Sequence, residues 1–231
     1  MKDQYFGDFG DYQKISLLKF LQDEGFSLLV HWMKTKDDGS TDGKHISYLE
    51  KPDTWRSFDP EVFEFLRSKT TSGKRLLSHV EGSNLCKKVQ FISDYIEDRD
   101  RRSHMLDTIR RSGAEVVLFD PDNGIEVAST NKKNIHKYVT WNEILKTFDS
   151  GKSVIIYQHF SRTNREIFVQ NKIAEIRGKV ACPVVSVQVR HSVYFFLMHK
   201  EHRAGLLRAI GRFADTWKRL AVVRRDLLLS K

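Results

Sequence analysis

Short apolar runs of strand length alternate along this chain with amphipathic helical segments, and no other feature limits its fold as tightly. FSLLVHWM (26–33), VQFISDYI (89–96), VVLF (116–119) and KSVIIYQHF (152–160) read as strands, with RLLSHVEG (75–82) as a further short one. YQKISLLKFLQDEG (12–25) sets Ile15, Leu17, Leu18 and Leu21 at helical spacing, and Gly25 is its stop. DPEVFEFLRSK (59–69) is a helix with Asp59 as N-cap and Pro60 at the first position. Thr140 and Glu143 stand at capping-box spacing before the next apolar helix. RDRRSHMLDTIRRSG (99–113), REIFVQNKIAEIRG (165–178) and HRAGLLRAIGRFADTWKRL (202–220) complete the helices. VVSVQVRHSVYFFLMHK (184–200) reads as two strands around a tight turn. Strands alternating with helices predict a three-layer α/β fold, a mainly parallel sheet covered on both faces, with the late hairpin adding an antiparallel edge strand. The 231 residues suit one domain, 1–231, carrying a small insertion at about 36–88 where the pattern turns polar and glycine-punctuated.

In such sheets ligands bind beyond the carboxyl ends of the strands. Three polar clusters follow strands directly: HWMKTKDDGSTDGKH (31–45), DPDNG (120–124) and YQHFSR (157–162). Parallel strands would bring Asp37, Asp38, Asp120, Asp122, Asn123, Tyr157, Gln158 and His159 to one edge. Asp-Pro-Asp-Asn-Gly is also good turn chemistry, since proline fixes φ and Asn-Gly tolerates positive φ. The formal charge of +9 points to a polyanionic partner, because clustered lysine and arginine bind phosphates and release counterions. Arg101, Arg102, Arg110 and Arg111 on one basic helix are the candidate nucleic-acid contacts. The two cysteines, Cys86 and Cys182, are too far apart for a redox pair and fit a reducing cytoplasm. No apolar run approaches a membrane span, and the start lacks the apolar core of a signal peptide.

The segment FGDFGDYQK and the Asp120-Pro121-Asp122-Asn123 loop carry a resemblance to a known family. The chain resembles the S-adenosylmethionine-dependent methyltransferase fold, and most of all the bacterial 23S rRNA adenine-N6 methyltransferases; the three-Cys-motif partner proteins share that layout. Gly7, Asp11 and Lys14 match the family's opening segment, and Asp120-Pro121 matches the start of its Asp-Pro-Pro-Tyr motif. The resemblance implies a Rossmann-like methyltransferase fold, S-adenosylmethionine as cofactor and a nucleic-acid substrate. It makes Asp120, Pro121, Asp122 and Asn123 catalytic, with His159 from the next strand. Gly7, Asp11, Lys14, Asp38 and Gly39 would border the cofactor. Asp122 and Asn123 stand where the family has proline and an aromatic, and no GxG follows the first strand.

The acidic loop leaves a second reading open. Asp120 and Asp122 would hold Mg²⁺ or Mn²⁺ in a nuclease or phosphohydrolase, helped by His159. A third reading is an inactive nucleic-acid-binding subunit of a larger assembly, with LAVVRRDLLLSK (220–231) packed on the sheet or offered to a protein partner.

Overall fold

The computed structural model describes residues 1–231 apart from 38, 40–42, 44, 97, 98 and 227–231. Helix α1 (Phe9–Asp23) is capped by the side chain of Asp8, which accepts from Asp11 N, and ends before Gly25, whose φ is +96°. Strand β1 (Leu28–His31) follows. The segment after it contains the short helix α2 (Pro52–Trp55), helix α3 (Pro60–Thr71) and one turn, α4 (Ser78–Glu81). Then come β2 (Val89–Ile92), α5 (Arg99–Arg111), β3 (Val116–Phe119), β4 (Gly124–Ile125) and β5 (Tyr138–Val139). The chain continues through α6 (Trp141–Asp149), β6 (Ser153–His159), α7 (Arg165–Lys179), β7 (Val184–Gln188), β8 (Ser192–Leu197), α8 (Lys200–Thr216) and β9 (Val222–Asp226).

Seven strands form one sheet in the order β2-β1-β3-β6-β8-β7-β9. The first four are parallel, and β8 runs antiparallel to both β6 and β7. Alternate residues of β1 and β3 supply the two cores. Leu28, Val30, Val116 and Leu118 pack with α1, α3 and α8, while Leu29, Val117 and Phe119 pack with α5, α6 and α7. The result is a Rossmann-like α/β fold with helices on both faces. Tyr12 of α1 ties down the 36–88 segment, donating to the carbonyl of Trp55 (2.8 Å) and accepting from Asp59 N (2.9 Å).

Two local expectations need correcting. RLLSHVEG is a helical turn, because Leu77 and Val80, three residues apart, are both buried in the same cluster, where a strand would send them to opposite faces. The hairpin does not end the sheet either. All six residues of β8 are buried, as an inner strand requires, and the edge belongs to β9, which pairs antiparallel with β7. The local signals hold elsewhere: Asp59 caps α3, and Thr140 and Glu143 complete a reciprocal capping box on α6. Among the described residues no helix is long and apolar enough to cross a membrane.

Candidate active-site cavity

Parallel register sets His31 beside Phe119 and Phe119 beside Ile156, so β1, β3 and β6 end at a common edge. β6 runs three residues further, and its last, His159, lies opposite Ser192 at the start of antiparallel β8. A cavity of about 470 Å³ opens at this edge. Asp120, Pro121, Asp122, Asn123 and His159 all line it, together with Asp11, Lys14 and Tyr157. Gly43 and His45, from the far end of the loop after β1, reach it as well, so three polar segments do converge on one edge. The volume falls within the ordinary range for small-molecule sites.

Its floor is a buried ionic chain. Lys14 Nζ lies 2.7 Å from Asp120 Oδ2 and 3.2 Å from Asp11 Oδ1, with Lys14 and Asp120 only 2% and 1% exposed. Burial alone would lower the Lys14 pKa, but the two carboxylates outweigh it and hold the ammonium well above its usual value. Asp11 accepts a further hydrogen bond from Gly7 N (3.0 Å), yet burial pushes its pKa up to about 7 against the pull of Lys14. Asp8, one turn earlier, is also raised by burial. The Lys14 ammonium stands 4.7 Å from the centre of the Tyr157 ring, a cation–π contact. Asp122 is engaged separately: its carboxylate pairs with the Met1 α-ammonium at 2.7 Å and accepts from Thr35 Oγ1 at 2.9 Å. Burial would raise its pKa, but that ammonium and those hydrogen bonds bring it below the usual value.

The Asp-Pro-Asp-Asn-Gly loop is held from below by Gln158. Its Oε1 accepts from Ile125 N (2.8 Å) and its Nε2 donates to Asn123 O (2.8 Å). Gly124 has φ +124°, and a Cβ there would fall 2.2 Å from the Gln158 side chain, so glycine is required twice over. Gln158 is therefore a clamp beneath the loop rather than a cavity wall.

The remaining expected residues are dispersed. Gly7, at φ +80°, does not line the cavity; it accepts from Tyr48 Oη (3.1 Å) and orients Asp11 from behind. Gly39 is exposed and away from it, and Asp38 and Asp42 lie outside the described residues. Asp37 accepts from Gln4 N at 3.3 Å. On α5, Arg101, Arg110 and Arg111 are exposed, but Arg102 is buried. Its guanidinium grips Glu143 through Nε (3.0 Å) and Nη2 (2.5 Å) and donates to the carbonyls of Ile135 and Tyr138. Arg102 is thus a bolt between α5 and α6, with no donor fork left for an external phosphate.

Sequence reasoning missed several contributors to this site, among them Asp8, Gln13, His191 and Ser192. Gln13 lines the cavity, is 1% exposed, and its Nε2 is a buried donor with no partner within the protein. Its place beside Lys14 on α1 was the available signal. His191, from the β7–β8 turn, and Ser192, the first residue of β8, reach the cavity only because β8 is inserted beside β6. The His191 ring stacks on that of His45 at 5.5 Å, so the turn meets the end of the 37–45 loop.

A divalent cation and S-adenosylmethionine make different demands on this cavity. Among the described residues no group of three or more histidine, cysteine or acidic side chains converges as a metal site, and Asp120 and Asp122 already face ammonium groups. S-adenosylmethionine carries an ammonium, a sulfonium, a carboxylate and an aromatic base. The carboxyl groups of half-buried Asp8 and buried Asp11, the orphan amide of Gln13 and the rings of Phe9 and Tyr157 offer complements to each.

No protein-family model matches this chain, and no curated protein matches it. Among solved structures it is similar to the crystal structure of a Legionella pneumophila protein assigned to the family model DUF519. The two are 10% identical over 96% of this chain and 97% of that one, with a TM-score of 0.43.

Proposed function

We propose that this protein is an S-adenosylmethionine-dependent methyltransferase acting on an amino group of a nucleic-acid base. The observation that carries the reading is the Asp11–Lys14–Asp120 chain at the end of the central strand, on the floor of a ligand-sized cavity. Lys14 fixes the Asp120 carboxylate where parallel sheets bind ligands, as an acceptor for an exocyclic amino group. Asp8, Asp11 and Gln13 line the side of the cavity formed by α1 and would hold the cofactor, which when bound supplies an electrophilic methyl group. His159 stands at the mouth. Desolvation lowers its pKa below the usual value despite nearby Asp120, so it is neutral at pH 7 and free to take the proton released from nitrogen. Both cysteines are unpaired and buried, which suits the reducing cytoplasm where such substrates occur.

The test has two arms. Calorimetry should show S-adenosylhomocysteine binding to the wild type, and Asp120→Asn should retain that binding while losing at least about 100-fold in methyl transfer to total RNA, the scale of a missing transition-state contact. Heat with Mn²⁺ and none with S-adenosylhomocysteine would replace this reading with the hydrolase. Neither ligand binding, with nucleic acid still bound, would leave a binding module.

A further inference from the structure

Antiparallel pairing of His159 with Ser192 sets the β6–α7 loop beside the β7–β8 turn, where both meet the reaction cavity. Arg162 follows His159 in that loop, and Arg190 precedes His191 in that turn. Arg165 opens α7 with its guanidinium 4.8 Å from the centre of the Phe160 ring. A guanidinium resting on a ring is held in place while its donor edge stays open. All three arginines are exposed, and among the described residues none of them has a carboxylate partner. Elsewhere the arginines are paired: Arg102 with Glu143, Arg208 with Glu24, Arg212 with Asp23 and Arg224 with Glu166. Glu166, the acid next to Arg165, is thus countered by Arg224 at 2.8 Å. His191 reports the same imbalance. Desolvation lowers its pKa, and Arg190, His45 and Arg165 lower it further. Asp8, Asp11, Asp120 and Asp122 line the cavity, yet none is near enough to His191 to offset those charges.

We infer that the β6–α7 loop and the β7–β8 turn form a phosphate-gripping rim, with Arg162, Arg165 and Arg190 on the backbone of a single nucleic-acid strand whose reacting base enters the cavity. Unpaired guanidinium groups match phosphates in charge and in the geometry of their donors. Charge also sorts the strand: a neutral base suits a cavity lined with carboxylates, whereas phosphates belong on the rim. The rings of His45 and His191, stacked at 5.5 Å on the cavity wall, offer a neighbouring base a face to stack on. A base must leave its helix to enter such a cavity, so the strand beside it is single. The grip stands on the three arginines alone; only the placement of the reacting base rests on the methyltransferase reading.

The test uses a fluorescein-labelled 12-nucleotide RNA of mixed sequence and anisotropy titrations from 50 to 300 mM KCl. R162Q/R165Q/R190Q changes exposed side chains that do not line the cavity, so it should keep the wild-type urea midpoint and bind S-adenosylhomocysteine like the wild type. Each single-strand phosphate contact contributes about 0.7 to the salt slope, so this variant should lose about 2 from it and bind RNA about 100-fold more weakly at 0.1 M salt. R162K/R165K/R190K keeps the charge and should keep the slope. Arg110 and Arg111 close α5 shortly before β3 begins, at the sheet edge opposite the cavity, so R110Q/R111Q should change little. An equal loss per charge in R110Q/R111Q, or a lysine variant as weak as the glutamine one, would overturn the rim. So would a wild type that binds no RNA at 50 mM KCl, or displacement of the RNA by AMP or polyglutamate as readily as by unlabelled RNA. Absence of S-adenosylhomocysteine binding in the wild type with the rim effect intact would sink the methyltransferase reading and leave the rim standing.

Discussion

Lys14→Met tests the centre of the site directly. Methionine keeps most of the lysine's volume but removes the charge that faces Asp11 at 3.2 Å and Asp120 at 2.7 Å. Breaking a buried ion pair from one side leaves an uncompensated charge and costs about 3–5 kcal/mol. In a chain of this size each kcal/mol lowers Tm by about 2–4 °C, so a fall of about 6–20 °C is expected. The pH dependence follows from the signs. The wild-type Lys14 pKa is raised, so its stabilisation is complete below the usual lysine value and is lost only at still more alkaline pH; it adds no slope between pH 5 and 9. Without Lys14 the Asp11 pKa rises further from about 7. A raised carboxyl pKa holds a proton that the unfolded chain has released, so the variant loses stability as pH rises and recovers it towards pH 4–5. Urea unfolding at pH 5 and pH 8 should show a deficit relative to wild type that is larger at pH 8. Adding Asp120→Asn should restore part of it. A deficit below about 1 kcal/mol, the scale of a surface pair, or one equal at both pH values, would refute the buried-chain argument.

Arg102→Met should cost about 3–5 kcal/mol by stranding Glu143, while the RNA salt slope stays at the wild-type value. A lost slope with unchanged unfolding would return Arg102 to the interface. Gly124→Ala forces a side chain into a positive-φ position and against Gln158, so a loss of at least about 2 kcal/mol is expected by urea unfolding; an unchanged midpoint would mean that Gln158 moves aside. His31, fully buried with neither ring nitrogen partnered, has its pKa pushed by burial from 6.5 to about 3. Its contribution to stability is complete above pH 6.5 and declines as pH falls towards 3, by up to about 1.4 kcal/mol per pH unit. His31→Phe should flatten that decline, and an identical pH profile in the two proteins would rule the ring out as its source.

The parts of the fold legible in the sequence were those decided within a few residues. Asp59-Pro60 and Thr140 with Glu143 announce their helix starts because a cap bonds its own first turn. The alternation of elements gave the parallel sheet, and the parallel sheet gave the edge where the polar clusters meet. What remained hidden depended on distant partners. Amphipathic spacing identifies α5 as a basic helix but cannot tell that Arg102 meets a carboxylate 41 residues later. The Lys14–Asp120 pair spans 106 residues, and only the family resemblance drew attention to Lys14. The order β6-β8-β7 could not be read because both hairpin strands are mostly apolar and nothing local marks which is the inner one, and that order alone brings His191 and Ser192 to the cavity.

The two departures in the Asp-Pro-Asp-Asn loop fit together in three dimensions. Where the resembled family has proline and an aromatic, Asp122 turns to the Met1 ammonium and Thr35, while Asn123 sends its N–H to the Lys137 carbonyl at 2.8 Å. Asp122 thereby anchors the loop to the start of the chain and to the segment after β1, a task that proline could not perform. Loss of the aromatic removes a stacking surface at one position, yet the cavity keeps Tyr5, Phe9 and Tyr157, and His159 meets Tyr157 edge-on at 5.0 Å. In the methyltransferase reading a base would lie against these rings rather than against the loop. In that reading the loop serves as a rigid acceptor, clamped by Gln158 from below and by Asp122 from the side, with the Asp120 carboxylate fixed by Lys14 at the end of β3.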